Sequence, residues 1–233
     1  MSFWKKGHYS YSKLWCYLKD PQEYYRNYVL GQKDPPSAPM VLGRVFSEIY
    51  AGFDSKLGGV CELNFKGEKK LKYTIEKMIE NPQKYFPDIP KEIAFRPDMV
   101  RIINTALKDK NLFRLPMKYC EQAVYVNSKI CPLGAKHDGR IKKDGKVLIV
   151  ENKFGRPWTE ERANEEDQIT FYSYVDYLFT GVIPTVRLQS INSSTGKVLS
   201  FTTRKKTKAD FAALEEKIEY AYKGITNEVY EKV

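Results

Sequence analysis

The chain has 233 residues, 42% of them hydrophobic, with 39 lysines and arginines against 29 acidic residues, a formal net charge of +10 and a pI near 9.2. That is length for one large domain with a proper core, and no apolar run approaches the roughly 18 residues a membrane helix needs. The basic excess favours a polyanionic partner, nucleic acid first, and the 17 tyrosines and 12 phenylalanines supply planar groups that serve equally to fill a core or to stack on bases.

In chain order, residues 1–6 lead into no apolar h-region, so no secretory leader is read and a cytoplasmic location is expected. Residues 8–30 read as a helix with Ser10 or Ser12 as N-cap, broken at Asp20-Pro21, where Pro21 opens a second helix, and closed by Gly31. Residues 34–39 are a Pro-rich loop. Helices follow at 41–53, 66–81 and 96–107. The block 60–115 carries no strand pattern and is expected to be a helical insertion or cap. Strands begin near Lys118, first at 121–126 and then in a β-hairpin whose arms are 134–141 and 147–153 and whose turn is the basic, Gly-containing run 142–146. Pro157 ends the hairpin, and Thr159 caps a helix expected to run to about Leu178. Residues 182–191 and 197–202 are two further strands, joined by a turn at 192–196, and 207–229 is a closing amphipathic helix. The fold class is α/β: a central mixed sheet over 118–202, flanked by helices, in a single domain over 1–233.

The second arm of the hairpin is an apolar strand, Val147-Leu148-Ile149-Val150, that ends in Glu151-Asn152-Lys153. Alternation puts Glu151 and Lys153 on one face, and Asp138 lies on the neighbouring strand. Two carboxylates, with the Asn152 backbone carbonyl as a third oxygen, suit a hard cation such as Mg²⁺ or Mn²⁺. Such an ion polarises a phosphoryl oxygen and acidifies a bound water, and Lys153 can orient the nucleophile or offset growing negative charge. An acid–x–lysine triplet alone is common on solvated hairpins. Its weight here comes from company: on the following helix Gln168 and Tyr172 lie one turn apart on one face.

Gly134 and Asp138 (one residue further apart than in a GxxD motif), Glu151-Asn152-Lys153, and Gln168-Ile169-Thr170-Phe171-Tyr172 resemble the motifs of the PD-(D/E)xK nucleases, specifically the RecB-like branch. Ser10 to Leu14 ahead of Pro21-x-x-Tyr24-Tyr25, and Gly43-Arg44-Val45-Phe46-Ser47-Glu48, resemble the opening of that branch, so the likeness covers residues 10–50 and 118–180 in order. The resemblance implies a restriction-endonuclease-like core. Asp138 and Glu151 would be the metal ligands and Lys153 the catalytic lysine, with Gln168 and Tyr172 supporting the site and contacting DNA. It further implies a Mg²⁺- or Mn²⁺-dependent deoxyribonuclease, most simply an exonuclease, acting in recombination, repair or phage DNA processing in a bacterial or phage-infected cell. The partner would be single- or double-stranded DNA, with a homo-oligomer or a recombination protein as further company. There are two departures. Ser47 stands where the branch carries a histidine ligand, leaving one coordination position to water or to Glu48. No cysteine follows Cys131, so the iron–sulfur cluster of some members is not expected. The scattered Cys16, Cys61, Cys120 and Cys131 contain no CxxC pair and read as reduced, mostly buried thiols.

Other residues carry two readings each. Glu121 is a strand-edge charge or a supporting acid. His137 is a packing residue or a support for the site from the opposite face of the strand, and His8 is read as a surface residue. Arg156, Lys142, Lys143 and Lys146 are phosphate contacts or solvated charges, and Trp158 packs in the core or stacks on a base. The alternatives to an exonuclease are a nucleic-acid-binding protein of the same fold with impaired catalysis, which Ser47 motivates, and a structure-specific endonuclease.

Overall fold

Local chemistry sets the first turn of structure. In the computed structural model, which describes residues 7–34, 37–50, 98–113, 115 and 117–231, the Ser10 side chain accepts the Lys13 backbone N–H and caps helix α1 (Tyr11–Lys19). Asp20 then caps the next helix by accepting from the amides of Gln22 and Glu23, and Pro21 occupies its first position. This helix, α2 (Pro21–Tyr24), widens into a π-helical turn over Tyr25–Val29 and stops ahead of Gly31, whose φ is +72°. Helix α3 spans Ala38–Tyr50 and α4 spans Met99–Lys108. The expected helix at 66–81 and most of the proposed 60–115 insertion lie outside the described residues. The described end of that block is woven into the sheet. Asp109 Oδ2 accepts the Val198 amide at 2.9 Å, Tyr50 donates to the Phe113 carbonyl at 2.7 Å, and the Phe113 amide donates to Gln189 Oε1.

Five strands follow: β1 (Cys120–Asn127), β2 (Pro132–Lys143), β3 (Lys146–Gly155), β4 (Thr185–Asn192) and β5 (Val198–Thr202). They lie side by side in sequence order, antiparallel except for the parallel β3–β4 pair. Asp144 and Gly145 turn β2 into β3 with φ of +49° and +70°, the double positive φ of a two-residue type I′ turn. The parallel pair needs a crossover, and two helices make it: α5 (Glu160–Glu165) and α6 (Asp167–Thr180). The sequence leads one to expect a single helix here. Glu166 interrupts it with extended backbone (φ −66°, ψ 123°) and becomes the cap of α6. Helix α7 (Lys208–Thr226) closes the chain behind a Thr207/Asp210 capping box.

The sheet has a helical layer on each face. Phe154 meets α3, where Gly43 brings the helix so close that an added Cβ would lie 3.1 Å from Phe154 Cβ, while its neighbour Lys153 reaches α6. Successive strand residues point to opposite faces, so α3 and α6 sit on opposite sides of β3. The main core lies on the α6 side. Leu14 of α1, Val124 and Leu133 of the sheet, Phe171 and Val175 of α6, and Phe211, Leu214 and Ile218 of α7 pack there. A smaller cluster of Ile149, Ala163, Ile169, Val186 and Leu188 lies under the α5–α6 junction. The mixed, helix-flanked α/β sheet is the expected fold class. Among the described residues no helix is long and apolar enough to cross a membrane.

Candidate functional site

The site begins where the hairpin ladder ends. The β2–β3 pairing stops at Gly139 opposite Val150. Beyond it the Asp138 carboxylate takes over, with Oδ2 accepting the Asn152 backbone N–H at 2.7 Å. His137 and Arg140 both reach Asp176 on α6, although residues three apart on a regular strand face opposite sides. The β1–β2 register nevertheless holds across this point, with Gln122 opposite His137 and Cys120 opposite Gly139, while Glu121 between them takes φ +53°. Gly139 fits because a Cβ there would run into Leu115 and crowd Val150.

Glu151 and Lys153 share the α6 face of β3, as alternation requires. Lys153 Nζ donates to Glu151 Oε1 at 2.7 Å and to Gln168 Oε1 at 2.5 Å, and Gln168 Nε2 donates to the Tyr172 hydroxyl at 2.8 Å. One relay thus joins Glu151, Lys153, Gln168 and Tyr172, and Asp138 lies beside it. The Asn152 side chain turns to the other face, where its Oδ1 accepts from the buried Gln189 at 2.8 Å. That bond ties β3 to β4 at the level of the site.

The electrostatics are those of two acids with one cation. Burial, then the charge of Glu151, pushes the Asp138 carboxyl well above its usual range, against the pull of the Asn152 amide. Burial, with Glu151 and Asp138 adding, likewise holds the Tyr172 phenol protonated. Glu151 is 4% exposed, and its Oε2 is buried without a hydrogen-bond partner among the described residues. A buried carboxylate oxygen without a donor is costly, and a cation bridging toward Asp138 would remove that cost. Among the described residues no group of three or more His, Cys, Asp and Glu converges for a metal. The protein could therefore offer two carboxylates and the Asn152 carbonyl, leaving other positions to water, as Mg²⁺ prefers.

Behind the relay lies a cluster that sequence reasoning half missed. His137 is fully buried, its Nε2 2.7 Å from Asp176 Oδ2, and its ring meets Tyr172 edge-on at 5.0 Å. Arg140 Nε donates to Asp176 Oδ1 at 2.8 Å. Burial raises the Asp176 pKa, but the hydrogen bonds from His137 and Arg140 outweigh it and hold the carboxyl below its usual value. Asp176 had a legible signal: Gln168, Tyr172 and Asp176 recur every fourth residue, a polar stripe along one face of the helix.

The remaining candidates are placed unevenly. Ser47 is partly buried on α3, one turn from the Gly43–Phe154 contact. The Glu48 side chain and Cys61 lie outside what is described, while Cys16 and Cys131 are free thiols and the Cys120 thiol donates toward the Leu115 carbonyl. Glu121 has φ +53° and pairs with Lys136 on the edge of the sheet. Arg156 is exposed just past the end of β3. Lys142 and Lys143 sit at the opposite end of the hairpin, four and five residues from Asp138, roughly 13–17 Å at ~3.3 Å per residue. That places them away from a phosphate bound at Asp138. Trp158 packs against the smaller core cluster, with Arg162 lying 4.1 Å over its ring and Lys153 Nζ 5.6 Å from the ring centre.

No family model and no curated protein matches the chain. Among solved structures it is similar to a crystal structure of a protein from Eubacterium rectale provisionally named an exonuclease, with TM-score 0.60 and 12% identity over 97% of this chain and 84% of that one. A second solved structure, of the protein SSO0001, aligns with TM-score 0.32 and 14% identity over 65% of this chain and 69% of that one, too loosely to bear on the fold. At 12% identity the first likeness is one of fold, the helix-flanked α/β sheet described above.

Proposed function

We propose that this chain is a metal-dependent deoxyribonuclease of the RecB-like branch of the PD-(D/E)xK nucleases, acting as an exonuclease on DNA phosphodiester bonds. One observation carries the reading. A buried glutamate gives one oxygen to a lysine and leaves the other without a partner, next to an aspartate whose own ionisation that glutamate opposes. The ordered motifs, the +10 net charge and the exonuclease name carried by the Eubacterium rectale fold neighbour support it.

Asp138, Glu151 Oε2 and the Asn152 carbonyl would hold Mg²⁺ or Mn²⁺. When bound, such an ion polarises the phosphoryl oxygen and lowers the pKa of a coordinated water. The chain's own residues do the rest. Glu151 and Gln168 occupy two of the three ammonium protons of Lys153. The third serves the phosphoryl oxygens as water attacks phosphorus and the bond to the leaving sugar oxygen breaks. Gln168, oriented by Tyr172, keeps the ammonium from collapsing onto Glu151 alone.

Digestion of end-labelled linear DNA and covalently closed circular DNA, with Mg²⁺, with Mn²⁺ and with chelator, tests the proposal. Metal-dependent loss of the linear substrate with the circle intact is expected. Cleavage of the circle would make it an endonuclease, and no cleavage with either metal would overturn the reading. Ser47, in place of a histidine, favours a second reading, a DNA-binding protein of this fold with impaired catalysis. Tight DNA binding without cleavage would select it.

A further inference from the structure

We infer that Arg162 is a DNA-backbone contact of this site and that Trp158 is the pedestal that holds it, rather than a surface for stacking bases. The inference rests on the nuclease reading above and extends it to a residue outside the motifs.

The Trp158 ring is fixed from several sides. Its backbone N–H donates to Ser190 Oγ at 2.7 Å, and its side chain packs on the cluster of Ile149, Ala163 and Ile169. The Arg162 guanidinium carbon lies 4.1 Å from the ring centre and Lys153 Nζ 5.6 Å from it, within cation–π reach. The two distances bound the separation of the cations at about 10 Å, whichever faces of the ring they use. That is no more than about three nucleotide rises of ~3.4 Å along a strand. A cation so close to the catalytic lysine is in reach of a phosphate flanking the one Lys153 serves.

Helix α5 holds Arg162 there. Thr159 Oγ1 accepts the Arg162 amide at 3.2 Å, and Ala163 is fully buried. The next residue, Asn164, is clamped from the segment after β5: its Oδ1 accepts the Arg204 amide and its carbonyl accepts Lys206 Nζ, each at 2.7 Å. The guanidinium itself is uncommitted. It lies in a groove with Glu161, Glu165, Glu166 and Asp167, yet among the described residues it forms no ion pair and donates no side-chain hydrogen bond. Two of those acids are engaged elsewhere, Glu166 with the Tyr11 hydroxyl and Asp167 with Trp15 and Lys217. An arginine lying over an aromatic face keeps N–H donors for two oxygens of a phosphate. The carboxylates that share this groove repel DNA, so Arg162 marks the edge of the footprint.

The test is binding of a DNA duplex to the full chain in chelator, which prevents cleavage, across a salt series. Arg162→Ala is expected to weaken binding roughly tenfold and to flatten the slope of log K against log salt by about 1. Trp158→Ala should approach the same loss, and the double variant should be no worse than Arg162→Ala, since both remove one contact. Arg162→Lys should restore the slope, and Trp158→Phe much of the affinity. Lys223→Ala, which removes one positive charge from the closing helix, is expected to change neither quantity. Arg162→Ala binding within twofold of the parent with an unchanged slope overturns the inference, as does an equal effect of Lys223→Ala. The nuclease reading survives either result if the parent still cleaves DNA with metal and Glu151→Ala does not. A parent chain that neither binds nor cleaves DNA removes both.

Discussion

Gln168 is the joint of the proposed site, and Gln168→Leu tests it. The substitution deletes the 2.5 Å acceptor of Lys153 and the 2.8 Å donor to Tyr172 at similar volume. A hydrogen bond to a charged group contributes about 1.5–3 kcal/mol and a neutral one about 0.5–1.5 kcal/mol. Water repays part of this, because the Lys153 side chain is 18% exposed, so a net destabilisation of about 1–2 kcal/mol is expected. At roughly 2–4 °C per kcal/mol for a chain of this size, the melting midpoint should fall by about 2–8 °C. The catalytic loss should be larger. With only Glu151 left to hold it, Lys153 swings toward that carboxylate, and a misplacement of about 1 Å costs on the order of 10²-fold in rate. Tyr172→Phe, which removes only the outer bond of the relay, should cost less than Gln168→Leu. The assay is single-turnover cleavage of labelled DNA at saturating Mn²⁺, with melting curves alongside. A Gln168→Leu rate within about twofold of the parent, or a Tyr172→Phe defect larger than the Gln168→Leu defect, would refute the relay.

Three further outcomes are expected. Mn²⁺ or Mg²⁺ at about 100 times its dissociation constant should stabilise the chain by about 2.7 kcal/mol, a rise of roughly 5–11 °C. Asp138→Asn should lose most of that rise, and a parent midpoint unmoved by metal would count against the ligand set. In metal-free protein Asp138 carries a raised pKa, so the folded state binds its proton more tightly than the unfolded state does. Stability must then fall as pH rises from about 4 through the raised value. Asp138→Asn has no proton to lose, so its advantage over the parent in denaturant melts should grow from pH 4 to 8; a constant difference would contradict the shift. Finally, Gly224→Ala ought to gain about 1 kcal/mol from helix propensity, but the new methyl would collide with the buried Tyr17 ring, whose hydroxyl donates to the Val229 carbonyl at 2.5 Å. Overpacking costs about 1–3 kcal/mol, so a lower melting midpoint is expected, and a higher one would show that the C-terminal segment yields.

What the sequence made legible follows strong local signals. Asp144-Gly145 specifies its turn, Ser10, Asp20-Pro21 and Thr207 specify helix starts, and the apolar run into Glu151-Asn152-Lys153 specifies the central strand. Period-2 and period-3.6 reasoning paired Glu151 with Lys153 and Gln168 with Tyr172, and the resemblance to the nuclease motifs joined the two pairs. Periodicity fails elsewhere. His137 and Arg140, three residues apart on β2, meet on one acid, which strand alternation does not announce. Glu166 breaks the crossover helix without glycine or proline, because its extended backbone is set by packing at the junction. The hairpin lysines lie away from the acids for a simpler reason. Neighbours in sequence across a turn are far from the other end of the same strands, and a distance along β2 separates Lys142 and Lys143 from the acids. Arg162 left no signal at all, since a lone arginine among glutamates on a short helix reads as a solvated surface.

The most direct measurement is cleavage of labelled linear DNA by the parent chain and by Glu151→Ala, each with Mn²⁺ and again after excess chelator. Degradation by the parent should stop on chelation, and Glu151→Ala should lose at least about 10²-fold in rate. Equal cleavage by the two proteins, or cleavage by the parent that persists in chelator, would contradict the proposed site.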